Sequence, residues 1–274
     1  MNVLQRIYNH LSPASAKWIV RSRRSPGRTA VSPHIPASIE QLRPDAGLQS
    51  RTVAELEPLA ARIPSMGGTE IGPQLRKAAR QAPADTSIVE VGSWLGAGTA
   101  QLALGMRERP NPDSLSLHCY DRWIATDEEV GKALRMNNMR LSVGEDTLPW
   151  VMDTLRPFGV PITFNKVDLR EAVWNGGPIS VYVDDAAKTP HKFFHVLNTF
   201  GPHWIPGVTV VVLMDFHFWE KTGSEKHKAQ KRFIERHRDN FSLVEGFRTD
   251  TSDAFIYRKP IDFKKLSLKS LLAG

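Results

Sequence analysis

The chain has 274 residues, of which 41% are hydrophobic and 24% are charged, and its formal net charge is +7. This size and apolar content fit one medium α/β domain with terminal extensions better than two equal domains. The single cysteine, Cys119, excludes an internal disulfide framework and a zinc–thiolate cluster, and it favours a reducing compartment.

The positive charge is concentrated at the two ends of the chain. Residues 1–51 contain eight Lys and Arg against two acidic residues, and residues 259–274 contain four Lys against one acidic residue. The 24 basic and 26 acidic residues in between leave that part with a net charge of −2. Because a domain that follows a phosphate backbone carries its basic patch on the folded body, nucleic acid is not the expected partner.

The chain begins with a short, basic and amphipathic segment. Apolar side chains between residues 4 and 11 follow helical spacing, and several arginines come soon after. Residues 1–28 fit a peripheral contact with an anionic membrane surface, a homo-oligomer contact, or a helix packed on the domain. The first residues lack the continuous apolar stretch that is typical of a signal peptide, and no run approaches about 18 apolar residues, so we expect a cytoplasmic protein.

Beyond this segment, the pattern changes from loop-like to alternating. Residues 25–50 are rich in Pro and Gly, which is typical of an irregular linker. Helices are predicted over residues 52–62, 69–80, 98–109, 127–138, 147–155, 190–200 and 224–240, and strands over 88–91, 115–120, 162–167, 179–183, 208–214, 241–244 and 254–257. We therefore expect an α/β fold: a Rossmann-like sheet of seven mostly parallel strands with helices on both faces, plus a helical N-terminal extension.

A glycine-rich turn follows the first of these seven strands. After Glu90 come Gly92, Gly96 and Gly98, and such a turn lets the backbone approach a ligand closely. The spacing differs from the G-x-G-x-x-G motif of dinucleotide-binding folds, and the segment lacks the Lys-Ser/Thr of a P-loop. Both of those nucleotide-binding motifs are therefore disfavoured.

Acidic residues end the later strands of the predicted sheet. The second strand ends at Asp121, the third at Asp168, the fourth at Asp184 and Asp185, and the fifth at Asp215. Carboxyl ends of parallel strands meet at one edge of a sheet, where ligands bind near the switch point. Because crowded like charges repel unless a ligand or a cation compensates them, we interpret this set as a site.

These motifs carry a family resemblance. From residue 87 the sequence reads S-I-V-E-V-G-S-W-L-G-A-G-T, and later strands end in Y-D, V-D, V-Y-V-D-D and V-V-V-L-M-D. The chain thereby resembles class I S-adenosylmethionine-dependent methyltransferases over residues 65–258, and within them it is similar to the macrocin and sugar O-methyltransferase family. Together with the charge and composition of the two ends, this predicts a basic extension and linker (1–50), a class I methyltransferase domain (51–260) and a basic C-terminal tail (261–274).

The resemblance also implies which residues hold S-adenosylmethionine. The glycine-rich segment would wrap the methionine end and the ribose through Glu90, Gly92, Ser93, Trp94, Gly96, Gly98 and Thr99. Asp121 would bind the ribose hydroxyls, and Arg122 directly after it is a further candidate to contact the cofactor. Asp168 and Leu169 would lie by the adenine. Asp184 would lie near the methionine amino group or the reacting centre.

The chain departs from the motifs of the metal-dependent members of this family. Those members resemble one another in having I-D-G-D at the fourth strand and D-D after the fifth, whereas this chain has V-D-D-A and M-D. One expected base and one expected metal ligand are therefore replaced or displaced. Asp184 and Asp215 remain as candidate ligands for Mg²⁺, which prefers oxygen. Two carboxylates make a sparse site, so Mg²⁺ is an alternative and not the main expectation.

Transfer of a methyl group to a hydroxyl also requires a base. Asp185, His191 and His217 are the candidates, because each lies close in sequence to a strand end. Imidazole suits this role because its ordinary pKa is close to neutrality. Each of the two histidines could equally be a partly exposed loop residue.

Three functions remain open from the sequence. The first is O-methylation of a sugar, glycan, glycolipid or secondary metabolite by in-line transfer. The second is a catalytically inactive cofactor- or partner-binding protein of the same fold, which Ala186 in the fourth-strand motif suggests. The third is an RNA methyltransferase that uses the basic ends of the chain.

Overall fold

We describe the fold from a computed structural model of the chain. The structure describes residues 37–43, 47, 50–66 and 69–272. The amphipathic segment predicted within residues 1–28 and most of the predicted linker therefore lie outside the described residues.

A sheet of eight strands forms the centre of the fold. In chain order the strands are β1 (Ser38–Leu42), β2 (Thr86–Val91), β3 (Leu115–Asp121), β4 (Ile162–Lys166), β5 (Ile179–Asp184), β6 (Val210–Leu213), β7 (Phe241–Arg248) and β8 (Asp253–Tyr257). Across the sheet they lie in the order β1-β4-β3-β2-β5-β6-β8-β7. Strands β2 to β6 are parallel, whereas β1 is antiparallel to β4 and β8 is antiparallel to both β6 and β7. The predicted Rossmann-like sheet of seven mostly parallel strands is confirmed.

The eighth strand, β1, was not predicted. It lies in the region where composition indicates an irregular linker, and it pairs with β4 with Ser38 opposite Lys166 and Leu42 opposite Ile162. Leu42 is buried, whereas Ile39 is 67% exposed. An edge strand with a single well-buried side chain has no clear hydrophobic alternation, so its sequence pattern does not reveal it.

Nine α-helices lie among the described residues. They are α1 (Val53–Ala60), α2 (Gly72–Gln81), α3 (Ala97–Arg107), α4 (Asp127–Asn137), α5 (Leu148–Leu155), α6 (Pro190–Phe200), α7 (Phe218–Thr222), α8 (Ala229–Arg236) and α9 (Leu268–Leu272). None of these described helices combines the length and the apolar composition that a membrane-crossing helix needs.

The long helix predicted over residues 224–240 is wrong in its extent. Only α8 is α-helical there, and 3₁₀ turns at Glu225–Lys228 and Arg238–Asn240 flank it. The buried side chains of this region all lie in the first six residues of α8. Packing therefore supports about two helical turns, and the charged flanks have no apolar face to extend them.

The sheet buries apolar side chains on both faces. Successive residues alternate between two hydrophobic clusters: Ile88 and Val181 belong to one, and Val89 and Tyr182 to the other. Helices α2 and α3 contribute to the first cluster, and α6 and α8 to the second. Because both faces are covered, the central strands are continuous apolar runs in the sequence.

The described part of residues 261–274 also packs on the domain. Phe263 is buried against Gly201, where an added Cβ would lie 2.3 Å from the phenyl ring. Helix α9 contacts α6 and α8, and its Leu271 is buried. This segment therefore adds to the second cluster.

The direction of winding reverses at β2. From β2 the chain proceeds to β3 and β4 on one side and then returns to β5 on the other side. Strands β2 and β5 are consequently neighbours, with Val91 opposite Asp184. In open α/β sheets, a ligand crevice forms at the carboxyl ends of the strands that flank such a reversal.

Candidate functional site

A cavity of about 590 Å³ opens at this reversal, beyond the carboxyl ends of β2, β3, β4 and β5. Its remaining wall comes from Met66 and from the first turns of α4 and α6. A recess of about 60 Å³ adjoins it beneath the glycine-rich turn. Seven of the residues predicted from the sequence line the main cavity: Gly92, Trp94, Asp121, Arg122, Asp168, Leu169 and Asp185.

The turn after β2 owes its shape to positive backbone angles. Gly92 has φ +91° and Gly96 has φ +88°, both in the left-handed region that favours glycine. A Cβ on Gly92 would lie 2.7 Å from the Cβ of Ala186, in the loop after β5. Position 92 therefore requires a glycine, both because its φ is positive and because the two strand ends approach closely there. Gly96 lies away from the cavity, against Leu155 of α5.

Two tryptophans share the left-handed conformation, and Asp121 holds both. The backbone N–H of Trp94 donates to Asp121 Oδ2 at 2.9 Å, and that of Trp123 donates to Oδ1 at 3.0 Å. Their φ angles are +44° and +46°, which cost a bulky residue about 1–3 kcal/mol each. Trp94 lines the cavity, whereas Trp123 is buried against Phe164. Asp121 thus fixes the loops after β2 and β3 relative to each other.

Asp121 keeps the capacity to bind a further donor. Each carboxylate oxygen has two lone pairs, and each accepts one tryptophan N–H. Burial raises the pKa of Asp121, although the hydrogen bonds from Trp123 and Trp94 work in the opposite direction. The carboxylate can therefore accept hydroxyl donors from a ligand in the cavity, as the sequence predicts.

Glu90 lies under the turn and not in the main cavity. Its Oε2 accepts hydrogen bonds from the hydroxyls of Ser93 and Thr99, and the thiol of Cys119 lies 3.8 Å away. A Cβ on Gly98 would lie 2.3 Å from the other carboxyl oxygen. Burial raises the pKa of Glu90 to about 7, although the hydrogen bonds from Thr99 and Ser93 lower it.

Glu90 is therefore a buried brace of the turn. It reaches a ligand only through the small recess, which Ser93 and Gly98 also line. Thr99 is fully buried beneath it. The predicted direct contacts of Glu90, Ser93, Gly98 and Thr99 with the cofactor stay predictions.

Asp168 and Leu169 lie at the end of β4, at the far side of the cavity. The Arg170 guanidinium binds both carboxyl oxygens of Asp168, at 3.0 and 2.8 Å. This pairing lowers the pKa of Asp168 to about 2. Leu169 is buried and presents an apolar surface to the cavity. A flat, partly polar group such as a purine fits a wall of this kind.

The loop after β5 separates two adjacent carboxylates. Asp184 is fully buried, and its Oδ1 accepts the backbone N–H groups of Ala186 and Ala187 at 3.2 and 2.8 Å. Burial raises its pKa to about 6. Asp185 instead lines both the cavity and the recess. Asp184 therefore shapes the loop, and Asp185 is the carboxylate that a ligand meets.

Asp215, at the end of β6, is bound to a lysine that the sequence interpretation did not single out. The ammonium of Lys188 lies 3.1 Å from Asp215 Oδ2, and Lys188 lines the cavity. Burial raises the pKa of Asp215, and Lys188 opposes that rise. The spacing of Lys188 from Asp185 can be read from the sequence, but its ion pair with Asp215 bridges two strands and cannot.

The carboxylates do not fit the Mg²⁺ alternative. Within the described ranges, no group of three or more His, Cys, Asp or Glu side chains is arranged to hold a metal ion. Asp184 uses one oxygen on two backbone amides, and Asp215 faces the Lys188 ammonium. Because a cation already lies beside Asp215, a Mg²⁺ site at Asp184 and Asp215 has no support.

The two candidate histidines lie outside the cavity lining. His217 Nε2 is 2.8 Å from Asp253 Oδ2, and its Nδ1 is 3.0 Å from Glu220 Oε1. Both ring nitrogens are therefore engaged in joining the end of β6 to β8 and α7. His191 is exposed in the first turn of α6. Of the three predicted bases, Asp185 alone lines the cavity.

The first turn of α4 contributes a wall that the sequence interpretation missed. Thr126 and Glu129 form a capping box, in which the Thr126 N–H and hydroxyl both donate to Glu129 Oε2 at 2.7 Å. Lys132 pairs with Glu128 at 2.8 Å in the next turn. The T-x-x-E spacing is a readable helix-start signal, but its position at the cavity depends on how the β3–α4 loop folds back.

Comparison with known proteins gives distant structural matches only. No model of a known protein family matches the chain, and no curated protein matches its sequence. A structural-genomics target from Corynebacterium glutamicum has 12% identity and a TM-score of 0.46, with 77% of this chain and 91% of that chain covered. The O-methyltransferase TomG from Streptomyces achromogenes, involved in tomaymycin synthesis and solved in complex with SAM, has 17% identity and a TM-score of 0.38, with 80% and 92% covered.

A third match has a different kind of substrate in its name. The 23S rRNA methyltransferase ErmE has 13% identity and a TM-score of 0.40, with 70% of this chain and 69% of that chain covered. At these identities and TM-scores the matches assign no activity or acceptor. The fold rests on the topology of the chain itself.

Proposed function

We propose that this chain is an S-adenosylmethionine-dependent methyltransferase that methylates a hydroxyl group of a sugar, glycan, glycolipid or secondary metabolite. One observation carries the proposal. Gly92 and Trp94 of the glycine-rich turn, Asp121 and the Asp168–Leu169 pair, which the family resemblance implies as cofactor-binding, all line one cavity at the reversal of the sheet.

The cavity offers the contacts that this cofactor needs. Its size lies in the range of about 300–1,000 Å³ that is usual for cofactor sites. Asp121 can accept from the ribose hydroxyls, and Leu169 can cover the adenine. The wall contains six acidic and four basic side chains, which suits a ligand that carries a positively charged sulfonium and an amino group.

Asp185 is the group that we assign as the base. When bound, S-adenosylmethionine supplies an electrophilic methyl group: the acceptor oxygen bonds to its carbon, and the carbon–sulfur bond breaks with its electron pair left on sulfur. The hydroxyl proton passes to the Asp185 carboxylate. Burial raises the pKa of Asp185 well above its usual value, and Asp215 raises it further. A carboxylate with a raised pKa is a stronger base near neutral pH.

The charge distribution and the single cysteine bear on the acceptor and on the location of the protein. The net charge of −2 between the basic ends disfavours a polyanionic acceptor such as RNA. A single buried cysteine fits a reducing compartment, so we place the activity in the cytoplasm. Contact of residues 1–28 with an anionic membrane surface, or between subunits of a homo-oligomer, stays a prediction.

The test is isothermal titration of the purified chain with S-adenosylmethionine and S-adenosylhomocysteine, followed by a panel of hydroxylated acceptors. We expect micromolar binding to the unaltered protein. Asp121→Ala should weaken binding roughly 10- to 150-fold, because hydrogen bonds to a charged group contribute about 1.5–3 kcal/mol. Asp121→Asn, which keeps one carbonyl acceptor, should lose less.

Each outcome distinguishes the alternatives. Folded protein that binds neither compound contradicts the proposal. Binding without turnover on any acceptor supports a catalytically inactive cofactor-binding protein. If Asp121→Ala binds as tightly as the unaltered chain, the ribose role of Asp121 is wrong, and its function is to hold the two tryptophan loops.

A further inference from the structure

Two carboxylates follow the ends of the neighbouring parallel strands β5 and β6. Asp185 follows the last residue of β5, and Asp215 lies two residues beyond β6. Asp185 lines the cavity together with Lys188. Burial raises the pKa of Asp185, and the charge of Asp215 raises it further. Asp215 is only 8% exposed, so water screens this repulsion poorly. A cation is needed if both groups are to stay ionised.

Lys188 meets that need through its position in the chain. It lies three residues after Asp185, and its backbone N–H donates to the carbonyl of Ala186 at 3.0 Å. Its ammonium is 3.1 Å from Asp215 Oδ2 and lies over the Phe218 ring at 5.2 Å from the centroid. Burial disfavours its charge, but Asp215 and Asp185 outweigh that effect and raise the pKa of Lys188.

The other cavity lysines are engaged elsewhere or lack such a partner. Lys132 pairs with Glu128 at 2.8 Å. Lys192 lines the cavity near Asp168, at the end of β4, and after Arg170 it contributes to lowering the pKa of Asp168. Among the lysines that line the cavity in the described part of the chain, Lys188 alone forms an ion pair with a carboxylate at the end of β6.

We propose that the Lys188 ammonium is the resident cation of Asp185 and Asp215, in place of a divalent metal ion, and that it positions Asp185 for the proposed reaction. Lys188 is thus a positioning residue. This inference rests on the proposed function for the role of Asp185. Its electrostatic part, a lysine in the place of a metal ion, does not depend on the cofactor.

The experiment measures Mn²⁺ binding to the full chain, without cofactor, by electron paramagnetic resonance and by titration calorimetry. Four variants accompany the unaltered protein. Lys188→Met removes the charge and keeps the length of the side chain, and Lys188→Arg keeps the charge. Asp215→Asn removes the partner carboxylate alone, and Lys188→Met/Asp215→Asn removes both groups. Circular dichroism confirms that each variant is folded.

We expect the unaltered chain and Lys188→Arg to bind no Mn²⁺ at this position. Lys188→Met should bind Mn²⁺ at least about tenfold more tightly than the unaltered chain, because an uncompensated pair of partly buried carboxylates attracts a cation. The added Asp215→Asn change should abolish that gain. In turnover assays, EDTA should leave the unaltered enzyme unchanged, and Mg²⁺ should partly restore the rate of Lys188→Met.

Two results would overturn the inference. The first is stoichiometric Mn²⁺ binding by the unaltered chain that Asp215→Asn removes, since the cation site would then hold a metal beside Lys188. The second is a folded Lys188→Met variant that gains no Mn²⁺ affinity. If Lys188→Met does not fold, Mn²⁺ binding by the unaltered chain and by Asp215→Asn still tests whether a metal ion occupies this position. Failure of S-adenosylmethionine to bind contradicts the proposed function but leaves the Mn²⁺ result unaffected.

Discussion

At the ends of β2 and β3, the cavity wall is formed by backbone: Gly92 and Trp94 have positive φ angles, and one carboxylate collects the N–H groups of the two loops. At the end of β5, it is formed by the charged side chains of Asp185 and Lys188, and the Lys188 ammonium pairs with Asp215 beyond the end of β6. The first side depends on shape, and the second depends on ionisation. Changes of volume and changes of charge should therefore have separable effects on binding and turnover.

The largest effect on turnover should come from a change at Asp185, in the charged part of the cavity wall. Asp185→Asn keeps the size of the side chain and removes the base, so turnover should fall by about 10²–10⁴-fold. Affinity for S-adenosylhomocysteine should stay within about threefold, because Asp185 is assigned no cofactor contact. Rates of S-adenosylhomocysteine formation and titration calorimetry on the same preparation measure both. Equal losses of binding and turnover would place Asp185 on the cofactor side.

At the ends of β2 and β3, where backbone forms the cavity wall, a single added methyl group should lower the affinity for the cofactor. Gly92→Ala places a Cβ 2.7 Å from Ala186 Cβ at φ +91°, so cofactor affinity should fall by about 10- to 100-fold through strain of about 1–3 kcal/mol and displacement of the loop. Gly144→Ala is the matched control, since Gly144 has φ +85° but no atom within 4 Å of the added Cβ. Titration calorimetry compares them, and equal affinities would contradict the steric account.

The buried acid under the turn should reveal itself in the pH dependence of stability. Burial raises the pKa of Glu90 from 4.5 to about 7, so the folded protein holds the proton more tightly than the unfolded chain. The stabilisation is fully present below the unfolded pKa and is lost as the pH rises through about 7. Over that window the unaltered chain should lose about 2–4 kcal/mol of unfolding free energy more than Glu90→Gln.

Urea denaturation at several pH values measures this difference. Glu70→Gln is the control, because Glu70 is exposed and its removal changes the charge of the chain in the same way. Parallel pH profiles for Glu90→Gln and the unaltered chain would show that Glu90 is ionised in the folded protein. Glu90 would then stabilise the turn as a carboxylate and not as a carboxylic acid.

The smallest effect should come from a residue that the sequence offered as a base. His191 is exposed and outside the cavity lining, so His191→Ala should change turnover by less than about twofold, as surface substitutions usually do. Initial rates under saturating conditions measure it. A loss comparable with that of Asp185→Asn would mean that the first turn of α6 moves into the cavity during the reaction.

Sequence patterns were sufficient for the elements whose local signals are strong. Apolar runs identified β2 and β5, and the glycine spacing identified the turn at Gly92, because a close approach and a positive φ leave few alternatives to glycine. They missed β1, whose one buried side chain gives no periodicity. They also overextended the helix around α8, because charge alone does not show where packing ends.

By itself, the sequence determined the mostly parallel Rossmann-like sheet and the set of acidic strand ends, because these follow from local periodicity and from the alternation of strands with helices. Only the tertiary structure decided which acids share a space. It separated Asp184, turned into the loop, from Asp185, which faces the cavity, and it joined Lys188 to Asp215 across two strands. The alternation of side chains along a strand predicts the face of the sheet on which a residue lies. An ion pair between two loops depends instead on the positions that these loops take in the folded chain.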